Sequence, residues 1–352
     1  MTKAPYPLIF DGHNDVLLKQ FLLGAQAQTG FINGYDAHID LPKAKAGGFG
    51  GGFFAIFVPS EIKDDDKFAE MSQPTYDIEL PPAIEQTKAL KVALSQAAIL
   101  SRLQRDGALK ICTRARDIRQ CLETGTMAAV LHMEGAEAID ANLDALEVFY
   151  NAGLRSLGPV WSRPTIFGHG VPFRFPSNAD TGPGLTEAGK NLVRQCNNLH
   201  IMLDMSHLNE AGFWDVAKSS DAPLVATHSN AQAICPHARN LSDKQLAAIR
   251  DSDGMVGLNF AVAFLRPDGQ MNKDTGLDIM MRHLDHLLEH LGEDRVGLGS
   301  DFDGANIPSK IGDASGLVNL GEAMKKHGIN DDLQVKICNA NWLRVLEKTW
   351  GE

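Results

Sequence analysis

At several points along the chain a short apolar run closes on a His, Asp or Glu. Asp11-Gly12-His13-Asn14-Asp15 follows one run, and Glu134-Gly135 follows another. Ser206-His207, His228-Ser229 and Ser300-Asp301 close three more. Neutral imidazole and carboxylate oxygen are the donors that suit zinc or a similar divalent ion. Side chains i and i+2 of an extended segment point the same way, so His13 and Asp15 can reach one metal. Glu134 has two oxygens and can bridge to a second metal, which His207 and His228 complete. Two such metals about 3.5–4 Å apart can share a water, lower its pKa and polarise a carbonyl. A single histidine is more often structural than a ligand. Ligand-type residues at four run ends, with Asp301 at a fifth, are hard to assign to chance.

These residues need elements that bring their run ends together. The apolar runs are 8–10, 53–58, 128–133, 154–160, 201–205, 224–227, 255–260 and 296–299. Continuous apolar runs suit parallel strands buried on both faces. Amphipathic stretches lie between most of them and predict helices over 83–103, 140–151, 187–199 with Thr186 as cap, and 278–291 with Gly292 as stop. Strand and helix alternating argues for a parallel α/β sheet. Eight units favour a closed (β/α)₈ TIM barrel, with its active site at the C-terminal mouth of the strands. Residues 60–82, which include the acidic EIKDDDK, and residues 162–184, rich in Pro, Gly and aromatics, predict long βα loops on that mouth. Residues 331–350 predict a helix docking on the barrel exterior. A barrel needs roughly 250 residues. The 352 residues therefore fit one domain spanning 1–352 with long loops and a C-terminal helix, and no linker divides them.

Composition narrows the partners. Acidic residues outnumber basic ones 44 to 33, for a net charge of −11. That disfavours nucleic acid or an anionic membrane surface as a partner. The first residues, MTKAPYPLIFDGHND, do not read as a secretory signal, and no apolar run is long enough for a membrane span. Five scattered cysteines without a CxxC pair predict reduced, buried thiols in a cytoplasmic protein.

The motifs DGHND, HMEGAE, DMSHLNE, THSNA, the Arg-Asn of HARNLSD, and GSDFDG occur in that order over essentially the whole chain. In order and spacing the sequence resembles the membrane dipeptidase (renal dipeptidase) family, zinc peptidases with a TIM-barrel fold. The resemblance implies two zinc ions per chain, His13 and Asp15 on one, His207 and His228 on the other, and Glu134 bridging. It implies Asp301 as the proton-transfer residue and Arg239 as the partner of the substrate's terminal carboxylate. A planar guanidinium fork suits that task. It also suggests a homodimer and tolerance of a D-residue at the C-terminal position of a dipeptide substrate.

The chain departs from the lipid-anchored members in three ways. Those have a substrate-polarising histidine shortly after the fourth strand. Trp161 stands there in this chain, and His169, eight residues later, is the candidate for that role. A substrate-binding tyrosine has no match near Asn259-Phe260-Ala261. Secretion signal and anchor tail are absent, as in a soluble bacterial-type branch.

Other residues read more plainly. His132, two before Glu134, predicts a packed or supporting role, as does Asp303 beside Asp301. His283, His286 and His290 resemble a metal stripe, but such spacing is more often a half-buried helix face. The glycines at 47–52 precede a strand and lack the Lys-Ser/Thr of a phosphate loop, so they predict close packing. The rival activities are hydrolysis of another small amide, such as an N-acyl amino acid or a lactam, and a catalytically silent barrel that binds a small ligand. Phosphotriesterase-like amidohydrolases begin with His-x-His and bridge with lysine, which fits this chain less well.

Overall fold

The computed structural model describes residues 5–24, 27–60 and 69–351. The EIKDDDK part of the first long loop, residues 61–67, lies outside the described residues. Eight strands carry the fold: β1 (Ile9–Asn14), β2 (Phe49–Phe57), β3 (Ala128–Glu134), β4 (Leu154–Gly158), β5 (Met202–Leu203), β6 (Val225–Ala226), β7 (Met255–Asn259) and β8 (Val296–Gly299). β1 to β5 pair in parallel in chain order, and so do β6 to β8. Two parallel bridges join these sheets, Asp204 to Val225 at one seam and Asn14 to Phe302 at the other. The result is a closed (β/α)₈ barrel. Helices Gln86–Arg105, Asp144–Asn151, Glu187–Asn198 and Leu277–Leu291 fall where the periodicity predicts them. The Thr186 side chain accepts the Gly189 N–H at 3.1 Å, as expected of that cap.

Alternation along the strands sorts side chains into two cores. Ala129, Leu131 and Met133 of β3 face outward to the helices, in one large cluster with Leu100, Leu146 and Leu192. Ala128 and Val130 face the barrel axis with Phe10, Phe53, Met202, Val225 and Met255. Further along the same inner face the residues turn polar: Val130 gives way to His132 and Glu134, Met202 to Asp204, Val225 to Thr227, Met255 to Asn259. The barrel is therefore apolar at its base and polar at its mouth. The glycine-rich stretch serves close packing, since a Cβ at Gly51 would collide with the Ala128 backbone.

The C-terminal segment makes one expectation more specific. Residues 331–350 dock on the barrel from outside at its base, and they close it. A helix Asp331–Val335, a π turn Lys336–Ala340 and a helix Asn341–Trp350 run on from one another. Trp342 is fully buried in the axial cluster, with its ring 5.2 Å from that of Phe53. It fills the room that Gly12, Gly257 and Gly297 leave, and its Nε1 donates to the Leu298 carbonyl at 3.1 Å. An amphipathic helix reads the same in sequence whether it covers a flank or an end, so the periodicity could not tell these apart.

The two long loops meet over the mouth. Tyr76–Ile78 pairs antiparallel with Phe173–Phe175. Arg163, fully buried, ties the base of the second loop to its neighbours by donating to Glu137 Oε1 and to the Val58 carbonyl, both at 3.0 Å.

Because Trp342 plugs the base, Trp342→Ala should lower unfolding free energy by about 3–5 kcal/mol, and Trp342→Phe by less. Denaturant unfolding followed by circular dichroism measures this. A midpoint equal to that of the unaltered protein would contradict the plug.

Candidate active site and metal centre

The barrel mouth gathers all five proposed ligands. His13 lies on β1, and Glu134 is the last residue of β3. His207 and His228 lie four and two residues beyond the ends of β5 and β6. One extra residue sits between Asp11 and Asn14 relative to β2. A bulge of this kind re-aims side chains, which lets His13 turn into the barrel although Gly12 also faces it. His13 Nε2 lies 3.4 Å from Asp15 Oδ2 and 3.5 Å from Glu134 Oε2. The other Glu134 oxygen, Oε1, lies 2.9 Å from His207 Nε2 and 3.4 Å from His228 Nε2. Glu134 thus presents one oxygen to each pair of residues, and each trio is close enough to hold one cation.

The chemistry of the donors fits divalent ions. His207 Nε2 and His228 Nε2 face each other at 3.1 Å. Two ligands on one tetrahedral zinc, each about 2.0–2.1 Å from it, stand roughly 3.3 Å apart. The His228 tautomer follows from its neighbours. Thr227 Oγ1 donates to Asp204 Oδ2 at 2.5 Å and so can accept at 2.8 Å from His228 Nδ1–H, which leaves the Nε2 lone pair free. The Ser162 hydroxyl stands 3.0 Å from His207 Nδ1 in the same supporting place. Burial, with Arg239 and His13 nearby, pushes the pKa of both histidines well below the ordinary value, so both are neutral, as ligands must be. His13 Nε2 and Asp15 Oδ1 are buried without a hydrogen-bond partner.

The carboxylates need a counter-charge. Burial is the largest cause raising the Glu134 pKa to about 7, and Asp15 and Asp301 add to it while His13 opposes. For Asp301 too, burial is the main cause of a raised pKa, and Asp15 adds to it. Burial disfavours charge on His13, but Glu134 and Asp15 outweigh it and raise its pKa well above the ordinary value. Buried like charges this close are costly unless a carboxyl takes up a proton or positive charge stands among them, and a divalent ion is one source of that charge. Gly304 permits the crowding: a Cβ there would collide with Asp15 Oδ2 and Asp301 Oδ1.

Sequence patterns gave no role to several supporting residues. Asp204 accepts from the backbone N–H and hydroxyl of both Ser206 and Thr227, at 2.5–3.0 Å. Burial opposes its charge, but His132 and these hydrogen bonds outweigh it and hold its pKa below the ordinary value, beside His228. Asp11 accepts from Ser300 N–H at 2.6 Å and from the Ser300 hydroxyl at 2.8 Å, tying β1 to β8. Asn259 Nδ2 donates to Asp301 Oδ2 at 3.0 Å. The period-two spacing of Asp204 and Ser206 before His207 was the one signal available for this layer. His132 takes the supporting place expected of it, 2.8 Å from Ser156 Oγ. Asp303 supports the mouth as well, accepting His38 N–H at 2.7 Å.

A cavity of about 650 Å³ opens on the ligands. Asp15, Glu134, His207 and Asp301 form its polar wall, and Phe57, Met71, Trp161, Phe173, Phe264 and Met271 its apolar wall. Trp161, in the place of the expected histidine, has its ring 6.0 Å from His207. His169 does not line this cavity; its carbonyl accepts Asn209 N–H at 3.3 Å. Arg239 is buried beside the ligand loops. Its Nη1 donates to the Ser206 carbonyl and its Nη2 to the His228 carbonyl, the latter at 3.1 Å. Its Nε has no partner. Cζ lies 5.4 Å from the Phe264 ring, on the cavity wall.

Known proteins resemble this arrangement over the full length. The profile of the membrane dipeptidase family, peptidase family M19, matches residues 5–350. An uncharacterized protein in the pqqA 5′ region of Klebsiella pneumoniae is 48% identical over 265 residues, 75% of this chain and 98% of its own. A metallo peptidase from Rhodobacter sphaeroides, liganded with a phosphinate mimic of the dipeptide L-Ala-D-Ala, superposes with a TM-score of 0.97 at 55% identity, covering 98% of this chain and 100% of its own. A dipeptidase of family M19, also 55% identical, superposes at 0.96 over 98% of this chain and 99% of its own. An amidohydrolase from Pseudomonas aeruginosa, 20% identical with a TM-score of 0.75, shares the fold. With the ligand set at the barrel mouth and a family match from residue 5 to residue 350, the chain belongs to the membrane dipeptidase family and is a metallopeptidase.

Proposed function

We propose that the protein is a binuclear zinc dipeptidase acting on dipeptides, including those with a D-residue at the C-terminal position. The observation that carries this is the Glu134 carboxylate, with one oxygen toward His13 and the other toward His207 and His228. The L-Ala-D-Ala mimic bound by the Rhodobacter relative supports the D-residue. Five free, buried cysteines fit a reducing cytoplasm, and among the described residues no helix is long and apolar enough to cross a membrane. The proposal includes a homodimer, as the family resemblance suggests.

Each residue has a part in this scheme. His13 and Asp15 would hold one ion, His207 and His228 the other, with Glu134 between. Ions held there would lower the pKa of a shared water and polarise the scissile carbonyl. Asp301 is oriented by Asn259 and leaves Oδ1 toward the ligands. It would take a proton from the attacking water and deliver it to the leaving amine nitrogen. Arg239, which lies behind the residues that line the cavity, spends two nitrogens on the Ser206 and His228 carbonyls and keeps only its unpartnered Nε edge for the substrate's terminal carboxylate. The apolar wall takes the side chains. His169, away from the cavity, receives no step. A cavity of this size suits a small peptide, and other small amides, such as N-acyl amino acids, are the second reading because the wall chemistry admits them as well.

Two measurements test these roles. A hydrolysis screen of L-L and L-D dipeptides and their C-terminal amides should show turnover of the free acids and poor turnover of the amides. In Arg239→Lys, which keeps a charge but not the planar fork, kcat/KM for the free acids should fall roughly 10–200-fold, the worth of about 1.5–3 kcal/mol of charge-assisted hydrogen bonding. The amides should change little. Equal loss for both would make Arg239 a purely structural residue. No hydrolysis of any dipeptide by metal-loaded protein would overturn the dipeptidase assignment. Separately, Asp301→Asn should lower kcat about 10²–10⁴-fold with metal content unchanged. Near-normal turnover would remove Asp301 from proton transfer.

A further inference from the structure

Among the described residues, one more trio of ligand-type side chains converges outside the barrel mouth. His286 and His290 lie one turn apart on the helix Leu277–Leu291, and Asp243 opens the neighbouring helix Asp243–Asp251. His286 Nε2 is 2.7 Å from Asp243 Oδ1, and His290 Nε2 is 3.9 Å from the same oxygen. The two imidazoles stack with centroids 4.3 Å apart. Their ligand atoms all fall within 4.8 Å of one another, as do those of the two trios at the barrel mouth. His283, the third histidine of this helix, does not join them. It is buried, with Nδ1 accepting Ala231 N–H at 3.2 Å and Nε2 at 2.9 Å from the Leu265 carbonyl.

We propose that Asp243, His286 and His290 form a third metal site, distinct from the catalytic pair, that takes a borderline divalent ion of the zinc, nickel or copper class. The residue types favour these ions over calcium or magnesium, because two of three donors are imidazole. Residues i and i+4 of a helix project side by side, so the backbone pre-sets the two nitrogens. The carboxylate comes from a second helix with a hydrogen bond already in place. Ligands of one tetrahedral zinc stand roughly 3.3 Å apart. To reach that spacing His290 Nε2 would close on Asp243 Oδ1 from 3.9 Å and His286 Nε2 would move back from 2.7 Å, and the His290 side chain is 29% exposed. Solvent reaches all three side chains, which leaves the remaining coordination position to water. This accessibility makes the site weaker than the buried pair and exchangeable.

Such an ion would act as a clamp. Helix Asp243–Asp251 begins four residues after Arg239, and its capping box of Ser242 and Gln245 fixes where it starts. Helix Leu277–Leu291 carries His283, which holds the loop after His228 through Ala231. A metal across the two helices would therefore tie together the supports of the mouth without touching substrate. Its consequence is stability rather than turnover.

The test uses the whole protein with its catalytic metals loaded. Equilibrium dialysis and calorimetric titration with Zn²⁺, and in parallel with Ni²⁺, should reveal one further equivalent per chain, weaker than the first metals, and excess Zn²⁺ should raise the melting temperature. His290→Ala and Asp243→Asn should each weaken that equivalent by roughly tenfold or more, at least the effect of losing a supporting residue around a metal. Both variants should abolish the metal-dependent rise in melting temperature while leaving kcat/KM within twofold of the unaltered protein. His286 makes the shorter contact to Asp243, at 2.7 Å, so His286→Ala is the less clean variant, and His290→Ala keeps the Asp243–His286 contact intact. Absence of the extra equivalent would overturn the site. So would its persistence in both variants, which would place the additional ion elsewhere on the surface.

Discussion

The Glu134 carboxylate stands between His13 on one side and the His207–His228 pair on the other, with Asp15 and Asp301 close by. A carboxylate buried among other carboxylates is costly unless positive charge reaches it. Neither of its flanking histidines on the β5 and β6 side is charged, since burial holds both neutral. In the proposed binuclear site divalent ions would meet this need at each oxygen, and the residues around the mouth would keep the two oxygens where ions could share them. Asp204 fixes Thr227, Thr227 fixes the His228 ring, and Asp11 fixes the Ser300 turn that carries Asp301.

Strand alternation lets one barrel interior serve two purposes. Each inner face begins apolar at the base and ends polar at the mouth, so Val130, His132 and Glu134 are successive inward residues of one strand. Trp342 closes the apolar base from below. The polar layer above is tied together by hydrogen bonds between strands. Closure of the barrel depends on the same residues: the Asp204 bridge to Val225 and the Asn14 bridge to Phe302 sit at the two seams, within the layer that supports the ligands.

Much of this was legible in the sequence because ligand chemistry restricts residue types. His13, Asp15, Glu134, His207 and His228 follow apolar runs, and eight such runs alternating with helical stretches indicate the barrel. What stayed hidden depends on contacts between distant segments. The Asp204–Thr227–His228 chain needs β5 beside β6, which no local spacing states. The same holds for Asn259 against Asp301. The resemblance offers the Arg239 fork to the substrate's terminal carboxylate, yet its guanidinium is largely spent on the Ser206 and His228 carbonyls, thirty-three and eleven residues back. His169 and Trp161 compete in sequence for one place, and packing against Phe57 and Phe173 puts Trp161 at the wall. The segment ending at Trp350 shows a helical period that is indifferent to whether it covers a flank or a base.

The central claim is that Glu134 joins two metal ions. Crystals of protein loaded with zinc, with anomalous data collected on both sides of the zinc absorption edge, address it most directly. Two anomalous peaks should appear at the barrel mouth, about 3.5–4 Å apart, each about 2.0–2.2 Å from a different oxygen of Glu134. A single peak there, or two peaks with Glu134 bound to only one, would contradict it.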